Sequence, residues 1–118
     1  MAITITNPDH GPMAGAGFFI NASSADLSGC EVLKTGVAGK RIVLENILIN
    51  SAAGLTVTIG QGENASAVVT PLFGPVTMAA NSTLTFETGN LSLDAGESLT
   101  VDASGAGAVL IFIRGRLV

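Results

Sequence analysis

The last eleven residues, 108–118, read AVLIFIRGRLV. Polar and apolar residues do not alternate there. Laid out as a strand, Val109, Ile111 and Ile113 project one way, and Leu110 and Phe112 the other. A strand apolar on both faces has to be covered on both faces. In a chain of 118 residues the domain's own core supplies one cover. A second sheet, a loop or another copy of the protein has to supply the other. Residues 41–50, RIVLENILIN, make the same demand. Ile42, Leu44 and Leu48 share one parity, and Val43, Ile47 and Ile49 the other.

Around these two stretches the chain is punctuated into short strands. Ile3 and Ile5 alternate with Thr4 and Thr6 before Asn7-Pro8 stops them. Residues 31–35 read as a short strand, and Leu55, Val57 and Ile59 alternate with Thr56 and Thr58. Residues 67–72 form a strand ending at Pro71, with 73–80 irregular. Leu84 and Phe86 face inward before a turn at 87–90, and Leu91 and Leu93 bracket another short strand. A turn at 94–97 places Gly96 where a positive φ is required, and 98–103 alternates again. Roughly eight strands with a turn every eight to twelve residues predict an all-β antiparallel β-sandwich or barrel. Periodicity alone leaves a jelly roll and an immunoglobulin-like sandwich both open. The paired cysteines around a tryptophan that mark the latter are missing.

Residues 1–25 differ from the rest. Gly11, Pro12, Gly15 and Gly17 fall within seven residues, which breaks both helix and long strand. The expectation is an extended N-terminal arm over 1–25 ahead of a single domain over 26–118. Phe18, Phe19 and Ile20 are the arm's apolar anchor, and candidates for docking it on another surface.

Charge and composition narrow the function. Charged residues make up 12% of the chain, about half the usual share, and mean hydropathy is +0.57. A monomer this small needs more polar cover, which points to self-association. Net charge is −4 with only five cations, too few and too scattered for a phosphate-binding patch, so nucleic acid is not an expected partner. Trp and Tyr, the usual stacking platforms for sugars and bases, are absent. No secretory signal and no membrane-length apolar run are legible.

No residue pattern carries chemistry. His10 is the single histidine, beside Asp9, and Cys30 the single cysteine. A metal site needs several such ligands, and a Cys–His nucleophile would have to join these two across the chain. Asp94, Glu97 and Asp102 cluster in sequence without calcium-loop spacing, and read as a solvated turn. Sequons at Asn21, Asn64, Asn81 and Asn90 read as turn residues, which asparagine favours. Glu45, Asn46 and Arg114 interrupt apolar strands and want polar partners. No enzyme, cofactor or metal is expected.

From Lys40 onward the chain resembles the trimeric jelly-roll decoration, or cement, proteins of tailed-phage capsids. The residues that carry the likeness are Ala38-Gly39-Lys40-Arg41-Ile42-Val43-Leu44, Leu55-Thr56-Val57 and Thr70-Pro71-Leu72-Phe73-Gly74-Pro75-Val76. They continue through Leu91-Ser92-Leu93-Asp94-Ala95-Gly96-Glu97-Ser98-Leu99-Thr100-Val101 to the closing strand at 109–116. About two-thirds of the chain is covered, and the likeness is one of sequence style rather than of a diagnostic motif. Family members often carry an aromatic after the mid-chain loop, for which Phe86 is the candidate. The resemblance implies a jelly roll, a homotrimer, the major capsid protein as partner, a place on the outside of the virion after synthesis in the host cytoplasm, and no catalytic residues. On this reading Ile47, Ile49, Leu110, Phe112 and Arg114 are the candidate oligomer interface. The alternatives are a phage fibre or receptor-binding module for a host glycan, which the lack of Trp and Tyr disfavours, and a cupin-like enzyme, which a lone histidine disfavours.

Overall fold

The computed structural model describes residues 4–6, 17–63 and 68–118. Nine strands follow one another without a helix among these residues: β1 (Thr4–Thr6), β2 (Gly17–Asp26), β3 (Glu31–Lys34), β4 (Ile42–Ser51), β5 (Leu55–Glu63), β6 (Val68–Met78), β7 (Ser82–Ser92), β8 (Leu99–Ala103) and β9 (Ala106–Leu117). They form two antiparallel sheets packed as a sandwich. One has the order β1-β2-β9-β4-β7 and the other β3-β8-β5-β6. The pairings nest: β5 with β6, β4 with β7, β3 with β8, and β2 with β9. Two further ladders, β4–β9 and β5–β8, tie the nested pairs side by side within each sheet.

The inner faces supply the core. Ile20, Ile49, Ile111 and Ile113 from the first sheet meet Val57, Ile59, Leu99 and Val101 from the second, all fully buried. β9, the stretch apolar on both faces, lies between β2 and β4. Its odd-numbered residues from Val109 to Ile113 are in the core, and Leu110 and Phe112 face outward.

β4 meets its double demand differently. Both of its ladders shift register between Leu44 and Asn46. This bulge reverses the parity of everything after it. Ile42 and Leu44 before it, and Ile47 and Ile49 after it, therefore all reach the core. Outward, the strand keeps only Val43 and Leu48 as large apolar residues.

The N-terminal boundary also differs from expectation. Residues 17–25 are not an arm but most of β2, paired with β9 from Gly17↔Arg116 to Ser24↔Val109. Phe18 and Ile20 lie in the core, at 2% and 0% exposure, and Ala22 continues their row. The glycines and proline that break the chain end where β2 begins. From there Phe18, Ile20 and Ala22 alternate cleanly against Phe19, Asn21 and Ser23. His10 and the rest of 7–16 lie outside the described residues.

Two further differences have local causes. β6 runs on through Pro71 and Pro75 to Met78. It is an edge strand, so a missing N–H on its free side breaks no ladder bond. The turn expected at 87–90 is absent, and β7 is continuous from Ser82 to Ser92. Gly89 adopts φ 68° within it, a conformation glycine enters without strain, on the strand that follows the β4 bulge in register.

Candidate interaction surface

The outward face of the five-stranded sheet can be built from its register. Phe19, Arg114, Asn46 and Glu87 stand in one row across β2, β9, β4 and β7. Asn21, Phe112, Leu48 and Thr85 form the next, and Ser23, Leu110, Asn50 and Thr83 the one after. Side chains directly opposite on one face sit about 5 Å apart, so the rows make a continuous surface. Its centre is apolar. Phe112 is 38% and Leu110 39% exposed. The Phe19 and Phe112 rings lie 6.0 Å apart at 40°. Leu48 is half-buried beside them. The surround of Asn21, Ser23, Asn50, Thr83 and Thr85 is polar and uncharged, with Asn50 Nδ2 donating to Thr83 Oγ1 at 2.7 Å.

Charge is confined to one end of this face. Arg116 Nη1 donates to Glu45 Oε2 at 2.6 Å, and Arg114 Nε lies 3.4 Å from Glu45 Oε1. Arg116 Nη2 also donates to Asn90 Oδ1. Glu45 is the residue at the β4 bulge, which turns its carboxylate toward both arginines of β9. The polar interruptions at 45 and 114 thus find their partners within one chain.

The sequence-predicted interface divides. Leu110, Phe112 and Arg114 do lie together on the outward face. Ile47 and Ile49 do not: they are 1% and 0% exposed on the opposite, core-facing side. The bulge at Glu45 is the physical reason, because an unbroken strand would keep Ile49 on the side of Val43. The predicted docking anchors divide as well. Phe18 and Ile20 are in the core, and Phe19 joins the outward face against Phe112. Leu48 completes that face and was not singled out from sequence. Its signal was cross-strand register with Phe112, invisible without the bulge.

Among the described residues no chemical site assembles elsewhere. Among the described residues there is no group of three or more His, Cys, Asp or Glu placed to hold a metal. The acidic residues near the 94–97 turn act as pins. Gln61 Nε2 donates to Asp94 Oδ2 at 2.9 Å, and Asp94 N donates back to Gln61 Oε1 at 2.8 Å. Asp102 Oδ2 accepts from the Val68 amide at 2.7 Å, where β6 begins. Glu97 is exposed. Cys30 is buried. Of the described sequon asparagines, Asn81 alone is a turn residue, with φ 57°. Asn21 and Asn90 are in strands, and Asn64 lies outside the described residues. No helix among the described residues is long and apolar enough to cross a membrane.

Among the described residues Lys34 is the one cation buried at the core margin, 7% exposed, with Nζ 4.7 Å from the centroid of the Phe18 ring. Burial disfavours its charged form and lowers its pKa below the usual lysine value. The unfolded chain therefore holds more protons than the folded one between the lowered and the usual pKa, and stability rises with pH across that window. Urea midpoints measured from pH 7 into the alkaline range should climb for the wild type. The Lys34→Met variant should lose that climb.

No family model matches the chain, and no curated protein matches it.

Proposed function

We propose that this protein is a structural virion component: a jelly-roll decoration protein that binds the outside of a tailed-phage head as a homotrimer and stabilises the shell. The observation that carries the reading is the outward face of the five-stranded sheet. Four large apolar side chains (Phe19, Leu48, Leu110 and Phe112) stand there, with uncharged polar residues around them except at the end that carries Arg114, Arg116, Glu45 and Glu87. A face of this kind suits burial against another copy. The nested pairings of β2 to β9, with each half of the set divided between the two sheets, support the jelly roll over other sandwiches. The pinning of the 94–97 turn to Gln61 through the carboxylate and amide of Asp94 agrees with a structural rather than a catalytic role.

The test has two arms. Light scattering at micromolar concentration should give about three times the 11.8 kDa chain mass. Co-sedimentation with undecorated tailed-phage heads should then show saturable binding and raise the temperature at which the heads rupture. A monomer in solution, or a trimer that ignores every head offered and leaves their rupture temperature unchanged, overturns the assignment.

A further inference from the structure

Among the described residues the sandwich has four sheet edges: β1 and β7 in one sheet, β3 and β6 in the other. Proteins guard such edges by keeping them short or by placing proline or lysine on them. β1 has three residues and β3 four. β6 carries Pro71 and Pro75. β7 has no such guard over residues 82–87. That stretch, STLTFE, holds neither proline nor a cation, and it runs in unbroken register against residues 46–51 of β4.

The ladders decide which backbone groups this edge offers. At one end of the β4–β9 pairing Arg41 and Val118 exchange both of their backbone hydrogen bonds, and at the other Ala52 N donates to Ala108 O. Both ends turn the even-numbered residues of β9 toward β4. After the bulge, Asn46, Leu48 and Asn50 therefore bond to β9, and Ile47, Ile49 and Ser51 turn to β7. Their partners there are Phe86, Leu84 and Ser82. The N–H and C=O groups of Thr83, Thr85 and Glu87 are left pointing away from β4, and all three residues are exposed.

We infer that this edge pairs with the same edge of a second copy, antiparallel about a two-fold axis at Thr85, so that two five-stranded sheets become one. With Thr85 opposite its own mate, Thr83 stands opposite Glu87, and all three residues exchange hydrogen bonds in both copies. Leu84 then stands opposite Phe86, which is 47% exposed in the single chain. The one charge on the stretch meets a threonine, and the two Glu87 carboxylates lie at opposite ends of the junction. An axis at Glu87 would set those carboxylates face to face, and one at Phe86 would set them diagonally adjacent. An axis at Leu84 or Thr83 would carry Glu87 onto or past Asn81, whose φ of 57° takes it out of the strand. The edge is thus complementary to itself in hydrogen bonding, side-chain type and charge in a single register. A two-fold contact cannot close a trimer, so it joins a copy in one assembly to a copy in the next. It uses none of Phe19, Leu48, Leu110 and Phe112, and does not rest on the proposed function.

The test is cross-linking by position. Thr83→Cys, Thr85→Cys and Glu87→Cys each put one thiol on an exposed position of the edge, and the native Cys30 is buried. In concentrated protein a short bismaleimide should join two Thr85→Cys chains into a species of twice the 11.8 kDa chain mass on a denaturing gel. Thr83→Cys alone and Glu87→Cys alone should cross-link about tenfold more slowly, since each thiol then stands about 14 Å along the strand from its mate. Mixed, those two variants should cross-link readily to each other. Thr85→Pro removes an edge N–H and no bond to β4, and placed in both it should return the mixture to the slow rate. A Thr85→Cys protein that cross-links no faster than Thr83→Cys overturns the inference. Fast cross-linking that Thr85→Pro leaves intact overturns it too, because the contact is then not a strand pairing. A Thr85→Cys protein that does not cross-link leaves the edge to a strand of some other protein and likewise overturns it. No outcome here depends on phage heads, so failure of this contact and failure of the decoration role are read separately.

Discussion

Ile111→Asp should abolish folding, and Leu110→Asp, one residue earlier on the same strand, should yield a folded protein that no longer assembles. Ile111 is fully buried between the sheets, in register with Ala22 on β2 and Ile49 on β4. A carboxylate there has no donor in reach by register and sits in an apolar layer. An unpaired buried charge of this kind costs several kcal/mol, a large part of the total stability of a domain this size. Leu110 is 39% exposed and has Ser23 and Asn50 for neighbours across the strands. In the isolated chain its replacement should change stability by no more than about 0.5 kcal/mol. In the assembly the same carboxylate would be desolvated against another copy. The readouts are soluble yield and circular dichroism for folding, and light scattering for mass. If both variants fold and assemble like the wild type, β9 is neither a core strand nor an interface strand. If Leu110→Asp folds and keeps the wild-type mass, the outward face is not where copies meet.

That contrast depends on parity, and parity is what the sequence conveyed for β9 and concealed for β4. The closing strand runs without a bulge from Val109 to Ile113, so simple alternation assigns its two faces correctly. In β4 the same alternation placed Ile47 and Ile49 opposite Ile42 and Leu44. One extra residue near Glu45 puts all four on one side. Nothing in the local string ENIL marks a bulge. The cause is non-local, because Glu45 reaches Arg114 and Arg116 on β9, some seventy residues away. The same limit applies at the N terminus. The breakers between 11 and 17 are local and were legible, but β2 is held by β9 at the far end of the chain, so its membership of the sheet was not. The sandwich class, the alternating strands at 55–59 and 99–103 and the positive φ at Gly96 are local features, and each could be read directly. Long-range register decides which of the apolar residues become surface.

Gly115→Ala should be strongly destabilising, costing about 3 kcal/mol, at the upper end of the usual range for overpacking. Gly115 lies on β9 between Leu44 of β4 and Phe18 of β2. It follows Val109, Ile111 and Ile113 on the core-facing parity. A Cβ built there would collide with the Val43 carbonyl oxygen and would stand 3.0 Å from Phe18 Cζ. The Val43 carbonyl belongs to backbone just ahead of the β4 bulge, so it cannot swing aside as a flexible side chain would. Phe18 is 2% exposed and already underlies Lys34. Relief therefore requires β4 to draw away from β9, which would loosen both the bulge and the Glu45–arginine cluster that the bulge presents. Gly29 supplies the control. It has no positive φ, and nothing lies within 4 Å of a Cβ built on it. Gly29→Ala should leave the urea midpoint within experimental error or raise it slightly, by restricting the unfolded chain. Gly115→Ala should lower the midpoint with little change in the slope of the transition. Equal midpoints for the two variants would mean that β4 and β9 are not in the close register described, and the outward face built on that register would go with it.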